Sequence, residues 1–64
     1  MPVIRVDIGK TITAEQKRQL IEKLTDAAVE ITHIPKPAFV VFIQEYDDAN
    51  CGVGGVTLDK IRKQ

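Results

Sequence analysis

The chain has 64 residues, nine basic and nine acidic, so its formal net charge is zero. That length allows one domain, residues 1–64, and excludes a large core, because a chain this short buries only about 60% of its unfolded surface. The single cysteine excludes an internal disulfide, and one cysteine with one histidine does not make a structural zinc site, so no metal or other cofactor is expected. The balanced charge offers no basic stripe for nucleic acid or an anionic membrane. Oligomerisation is then the expected stabiliser. No basic segment precedes a long apolar one, and no apolar run approaches the roughly 20 residues of a membrane span. A soluble, cytoplasmic protein is expected, and the lone thiol suits a reducing compartment.

The first stretch, Met1-Pro2-Val3-Ile4-Arg5-Val6-Asp7-Ile8, alternates as a β-strand. Ile4, Val6 and Ile8 share one face and Val3, Arg5 and Asp7 the other. Proline is permitted at the start of a strand. Its position after Met1 also allows a chemical reading. Removal of Met1 before a small residue would leave Pro2 with a free secondary amine. A terminal amine has an unperturbed pKa of about 7.7–8.0. Burial or a neighbouring cation lowers it, towards the value that suits a general base near neutral pH. Arg5 is a candidate for that cation, on its own or a neighbouring chain.

Gly9-Lys10-Thr11-Ile12 breaks the strand, and Thr13-Ala14-Glu15-Gln16 has the form of a capping box, so a helix starts there. Leu20, Ile21, Leu24, Ala27, Ala28 and Ile31 trace one apolar stripe along it. Pro35 disfavours the helical conformation at Ile34, which predicts an end near Thr32-His33. His33 reads as a helix-end residue, where a cation is favoured. The stretch Pro37-Ala38-Phe39-Val40-Val41-Phe42-Ile43-Gln44 reads as a second strand, with Phe39, Val41 and Ile43 on one face and Ala38, Val40 and Phe42 on the other. Strands apolar on both faces are covered on both sides. One helix covers one face, so the other requires another subunit. Strand, helix and strand predict a βαβ unit with parallel strands.

Glu45 to Asn50 is polar and turn-forming. In Cys51-Gly52-Val53-Gly54-Gly55-Val56 the glycines lack the spacing and Lys-Ser/Thr ending of a phosphate loop, and read as backbone freedom for tight turns. Cys51 has no histidine placed to activate it and reads as a small apolar residue. The tail from Leu58 to Gln64 is expected to form no element of its own, and to fray or lay Leu58 and Ile61 on a partner.

Taken in order, Met1-Pro2, Glu15-Gln16-Lys17, the apolar strand ending in Ile43-Gln44-Glu45, and Gly52-Val53-Gly54-Gly55 make the chain resemble the 4-oxalocrotonate tautomerase family. The resemblance implies a βαβ unit with a short C-terminal hairpin, sheets paired between two subunits, and three dimers closing a hexamer with active sites at subunit interfaces. It implies that Pro2 is the general base moving a proton between atoms of a small enol or unsaturated 2-oxo acid. Members of that family carry an arginine after the first strand, where this chain has Lys10 if the loop is gapped and Ile12 if it is not. They carry another early in the second strand, where Val40 stands here, and an aromatic residue where Cys51 stands. Lys10, Arg5 and Val40 are therefore the candidate substrate-binding residues beside Pro2. Two alternatives stay open: a hydratase or dehalogenase with Asp7 or Glu45 as an acidic partner, and a non-catalytic oligomer that keeps the frame without the chemistry.

Overall fold

A computed structural model describes residues 1–62. Strand β1 (Val3–Ile8), helix α1 (Ala14–Thr32) and strand β2 (Val40–Glu45) form the predicted βαβ unit. The strands pair in parallel, from Val3 opposite Val40 to Ile8 opposite Glu45. That register puts Ile4, Val6 and Ile8 beside Val41, Ile43 and Glu45 on the half-buried face. The other face carries Val3, Arg5 and Asp7 beside Val40, Phe42 and Gln44 and is largely open, with Phe42 53% exposed.

The helix begins as its sequence predicts. The Gln16 N–H donates to Thr13 Oγ1 at 3.0 Å, and the Thr13 N–H to Gln16 Oε1 at 2.9 Å. It ends at His33, which adopts the left-handed conformation (φ 61°, ψ 18°) and donates its N–H to the Val29 carbonyl at 2.8 Å. The inward face is wider than the apolar stripe. It takes in Thr25, the most buried described residue at 8% exposure, whose hydroxyl donates to the Ile21 carbonyl at 2.7 Å. It also takes in half-buried Lys17 and Val29. Ile31, expected on the stripe, is 78% exposed. A 19-residue helix is about 28 Å long and a six-residue strand about 20 Å, so the sheet cannot cover the helix along its whole length.

The second strand starts at Val40, not at Pro37. Lys36–Ala38 instead form a 3₁₀ turn, in which the Ala38 N–H donates to the Pro35 carbonyl at 3.0 Å and the Phe39 N–H to Lys36 at 3.2 Å. Pro37 has no N–H to give to a ladder, so a turn suits it better than a strand. Lys36 Nζ also meets Asp26 Oδ1 at 2.9 Å, tying this turn back to the helix. That bond with Asp26, followed by its charge, holds the Lys36 ammonium above its ordinary pKa.

Strands β3 (Gly52–Val53) and β4 (Val56–Thr57) make the expected short hairpin. Its two turn residues, Gly54 (φ 61°) and Gly55 (φ 85°), have the paired positive φ of a type I′ turn. The tail corrects the expectation that it lacks an element. Leu58–Arg62 is a short helix, α2. It holds because Arg62 Nη1 donates to the Gly9 carbonyl at 3.2 Å and to Asp48 Oδ1 at 2.8 Å, while the Leu58 N–H donates to Cys51 O at 2.8 Å. Leu58 packs towards Gly9 of its own chain, and Ile61 is exposed. Lys63 and Gln64 lie outside the described residues.

Among the described residues no apolar side chain is fully buried. The accessible surface is 5004 Å², where a compact monomer of this mass exposes about 4,100 Å². The radius of gyration is 15.2 Å, against about 11 Å for a compact chain of this length. Large apolar side chains stay exposed on the open sheet face and on the hairpin arm, where Val53 is 64% exposed. No described helix is long and apolar enough to cross a membrane.

Candidate active site

Pro2 is half-buried at the head of β1. Its carbonyl accepts the Val40 N–H at 3.0 Å, which fixes the residue against the start of β2. The ring nitrogen takes no part in that bond. Val40, half-buried and paired with Val3, is its neighbour on the second strand, and Phe39 just before it is also half-buried. Val40, its hydrogen-bonded neighbour in this chain, is apolar, and partial burial beside such a residue disfavours a cationic amine.

Arg5 lies about 10 Å along the strand from Pro2, on the open face and opposite Phe42. It makes no ion pair or hydrogen bond with any described residue. A shallow depression of about 150 Å³ forms there between Arg5, Val6, Asp7, Phe42, Ile43 and Gln44. Lys10 is exposed beyond the other end of the strand, more than about 20 Å from Pro2 of the same chain. It lines a polar hollow of about 230 Å³ with Thr11, Tyr46, Asp47, Asp48 and Arg62. One copy of the chain therefore brings Pro2 and Val40 together, and holds Arg5 and Lys10 progressively further away.

The acidic candidates are otherwise engaged. Glu45 accepts the Ile12 N–H at 2.9 Å and meets Lys17 Nζ at 2.8 Å. The Lys17 hydrogen bond, and then the Ile12 N–H, hold its carboxyl below the usual range. Asp7 accepts the Tyr46 hydroxyl at 2.9 Å, and that bond raises the phenol above its ordinary pKa. Both carboxylates sit towards the C-terminal end of the strands, away from Pro2. The Tyr46–Asp7 pair was not foreseen from the sequence. The one available signal was a tyrosine immediately after the second strand. Cys51 is half-buried; a methyl group built on Gly9 would lie 3.8 Å from its sulfur. His33 caps the helix at the opposite end of the sheet and has no thiol or carboxylate partner among the described residues.

Comparison with known proteins bears on this arrangement. A family model described as tautomerase enzyme matches residues 2–61. The 2-hydroxymuconate tautomerase of Bacillus subtilis (strain 168) is 40% identical over 58 residues, covering 91% of this chain and 94% of the relative. The crystal structure of TomN, a 4-oxalocrotonate tautomerase homologue of the tomaymycin biosynthetic pathway, superposes with a TM-score of 0.92 at 30% identity, covering 98% of this chain and 97% of that one. A heterohexamer 4-oxalocrotonate tautomerase from Chloroflexus aurantiacus J-10-fl superposes with a TM-score of 0.86 at 27% identity, covering 97% of this chain and 100% of that one.

Proposed function

Because the chain belongs to the 4-oxalocrotonate tautomerase family of isomerases, we propose that Pro2, freed by removal of Met1, is the general base that ketonises a small enol or unsaturated 2-oxo acid. The observation that carries this reading is the division of labour within Pro2. Its carbonyl is spent on the Val40 N–H, while its nitrogen, an amide to Met1 in this structure, would become a free amine at the half-buried head of the strand once Met1 is removed. An amine there is pushed towards the neutral form by its apolar neighbours.

The neutral amine takes the proton of the enol hydroxyl, and the electron pair released forms the carbonyl and moves charge through the conjugated chain to a carbon. The resulting ammonium returns the proton to that carbon. One proton is taken and one is given, so the amine ends as it began. A cation near the substrate oxygen stabilises the charge that develops on the way, the kind of help that usually contributes most. Lys10 and Arg5 are the proposed cations, and Val40 the proposed wall for an apolar substrate tail. Since Lys10 stands so far from Pro2 of its own chain, this reading requires another copy to supply it.

The working form is a homo-oligomer, read as a hexamer built from three dimers in the cytoplasm. The open sheet face, the exposed hairpin arm and the heterohexameric relative support the oligomer. The hydratase or dehalogenase reading is less favoured, because Glu45 is already engaged by Lys17 and the Ile12 N–H, and Asp7 by the Tyr46 hydroxyl.

The test compares three preparations on a simple enol acid: protein lacking Met1, protein retaining it, and processed Pro2→Ala. General-base catalysis contributes about 10²–10⁴-fold, so both altered forms should lose on the order of 100-fold or more in kcat/KM. Equal rates for processed and Met1-retaining protein would remove Pro2 from the mechanism. Inactivity of every form on enol acids of varied length and charge would leave the non-catalytic oligomer.

A further inference from the structure

The loop between β1 and α1, which carries Lys10, is fastened at its two ends. At the exit, Glu45 Oε2 accepts the Ile12 N–H at 2.9 Å. At the entrance, Arg62 Nη1 donates to the Gly9 carbonyl at 3.2 Å. That oxygen belongs to the peptide that joins Gly9 to Lys10. The peptide group is planar, so a bond to its oxygen holds the plane from which Lys10 departs. Lys10 and Thr11 themselves are exposed, and neither makes a hydrogen bond or ion pair with any described residue. The direction of the Lys10 side chain therefore depends on the two fastenings beside it.

The entrance fastening is assembled from distant parts of the chain. Arg62 closes α2, and the same Nη1 that bonds Gly9 also donates to Asp48 Oδ1 at 2.8 Å. Two acceptors on one nitrogen of a planar guanidinium fix its orientation. Leu58, one turn earlier, lies on the same face of the helix. A methyl group built on Gly9 would lie 3.7 Å from Leu58 Cδ1 and 3.9 Å from Arg62 Nη2, so that face rests on Gly9. The side chains of Arg62 and Asp48 are 50% and 34% exposed. A pair so open to water adds little to stability, and what it contributes is direction. Arg62 also lines the polar hollow of Lys10, but Asp47 and Asp48 line it too. Two cations and two carboxylates cancel there, and Nη1 of Arg62 is already engaged, so the arrangement does not make Arg62 itself an anion ligand.

We infer that Arg62, steadied by Asp48, is a positioning residue: it fixes the Gly9–Lys10 peptide and so aims the Lys10 ammonium at the substrate oxygen. The inference rests on the proposed role of Lys10 as the cation of the reaction. It gives the short helix α2 a part in turnover without contact with substrate. Misplacing a charged group by about 1 Å can cost on the order of 100-fold in rate, so a weak bond that sets direction matters more to the reaction than to the fold.

The test is a double-mutant cycle joined to a measurement of the loop. Arg62→Ala and Asp48→Ala should each lose on the order of 10-fold in kcat/KM on the enol acid that the processed parent ketonises. In a Lys10→Ala background the same two changes should cost less than about twofold, because there is no ammonium left to aim. A loss through misfolding or a weaker oligomer would recur in full in that background. Asp48→Ala also separates aim from simple charge: it removes a negative group, which by itself would favour an acidic substrate, yet the rate should fall. Independently of turnover, amide order parameters of Lys10 and Thr11 should be near the rigid value of about 0.85 in the parent and fall towards about 0.6 in both variants. Order parameters that stay unchanged would overturn the clamp whatever the kinetics. A mobile loop with equal losses in both backgrounds would overturn the positioning role. If Lys10→Ala costs nothing, Lys10 leaves the proposed reaction and the inference falls with it, and the order parameters tell that failure from a failure of the clamp.

Discussion

Lys17 Nζ and Glu45 Oε1 meet at 2.8 Å, joining the first turns of α1 to the last residue of β2. The other oxygen of Glu45 accepts the Ile12 N–H at 2.9 Å, so one carboxylate ties together strand, loop and helix at the C-terminal end of the sheet. Those partners hold its pKa below the ordinary value. A carboxyl whose folded pKa is depressed adds stability that is fully present above its unfolded pKa, about 4.3, and is lost as pH falls through the folded value. The melting temperature of the parent should therefore fall below about pH 4.3. Glu45→Gln should melt lower than the parent at pH 7 and approach it as both are acidified. Melting curves that stay equally far apart from pH 7 down to pH 2 would assign the acid sensitivity elsewhere.

The capping box at Thr13 satisfies two helix-end groups at once, through its hydroxyl and the Gln16 amide. Thr13→Ala should cost about 1 kcal/mol, read as a lower urea midpoint with an unchanged slope. Thr13→Ser should restore most of it, because the hydroxyl rather than the methyl group makes the bond. An equal loss in both variants would point to packing instead.

The hairpin turn separates its two glycines. Gly54 (φ 61°) stands where a type I′ turn accepts asparagine, and Gly55 (φ 85°) where glycine is preferred. Gly54→Asn should leave thermal stability within about 0.5 kcal/mol of the parent. Gly55→Val forces a β-branched residue into positive φ and should cost about 1–2 kcal/mol. Comparable losses at both sites would refute the turn assignment.

The proposed roles of Lys10 and Val40 predict the substrate's charge. A dicarboxylate needs a cation at each end, and an apolar residue stands where the second strand would supply one. The enzyme should prefer a monoacid with an apolar or aromatic tail, its tail against Val40 and its carboxylate or enolate near Lys10. Lys10→Ala should lose about 1.5–3 kcal/mol of transition-state stabilisation, and Val40→Arg should shift preference towards the diacid. Steady-state kcat/KM on a matched monoacid and diacid decides it. A parent that favours the diacid, with Lys10→Ala unchanged, would pass the second carboxylate to Arg5.

Much of the frame is local, and the sequence determined it unaided. Alternation from Val3 to Ile8 placed β1 and its two faces, because side chains of a strand alternate whatever it packs on. Thr13 and Gln16 placed the helix start, because the box closes within four residues. Gly54-Gly55 placed the turn, because positive φ costs a glycine so little. Pro2 was legible as a candidate base from chemistry alone. Tertiary structure decided what depends on distant partners. It moved the start of β2 from Pro37 to Val40, where the strand has β1 to bond to. It left Ile31 outside, because the sheet is shorter than the helix, and turned Thr25 and Val29 inward. It ordered Leu58–Arg62 through Arg62, which reaches Gly9 and Asp48 from far along the chain. It also set Lys10 and Pro2 at opposite ends of one strand. Spacing along a chain measures contour length, and whether two residues share a site is a matter of where the folded, assembled backbone turns.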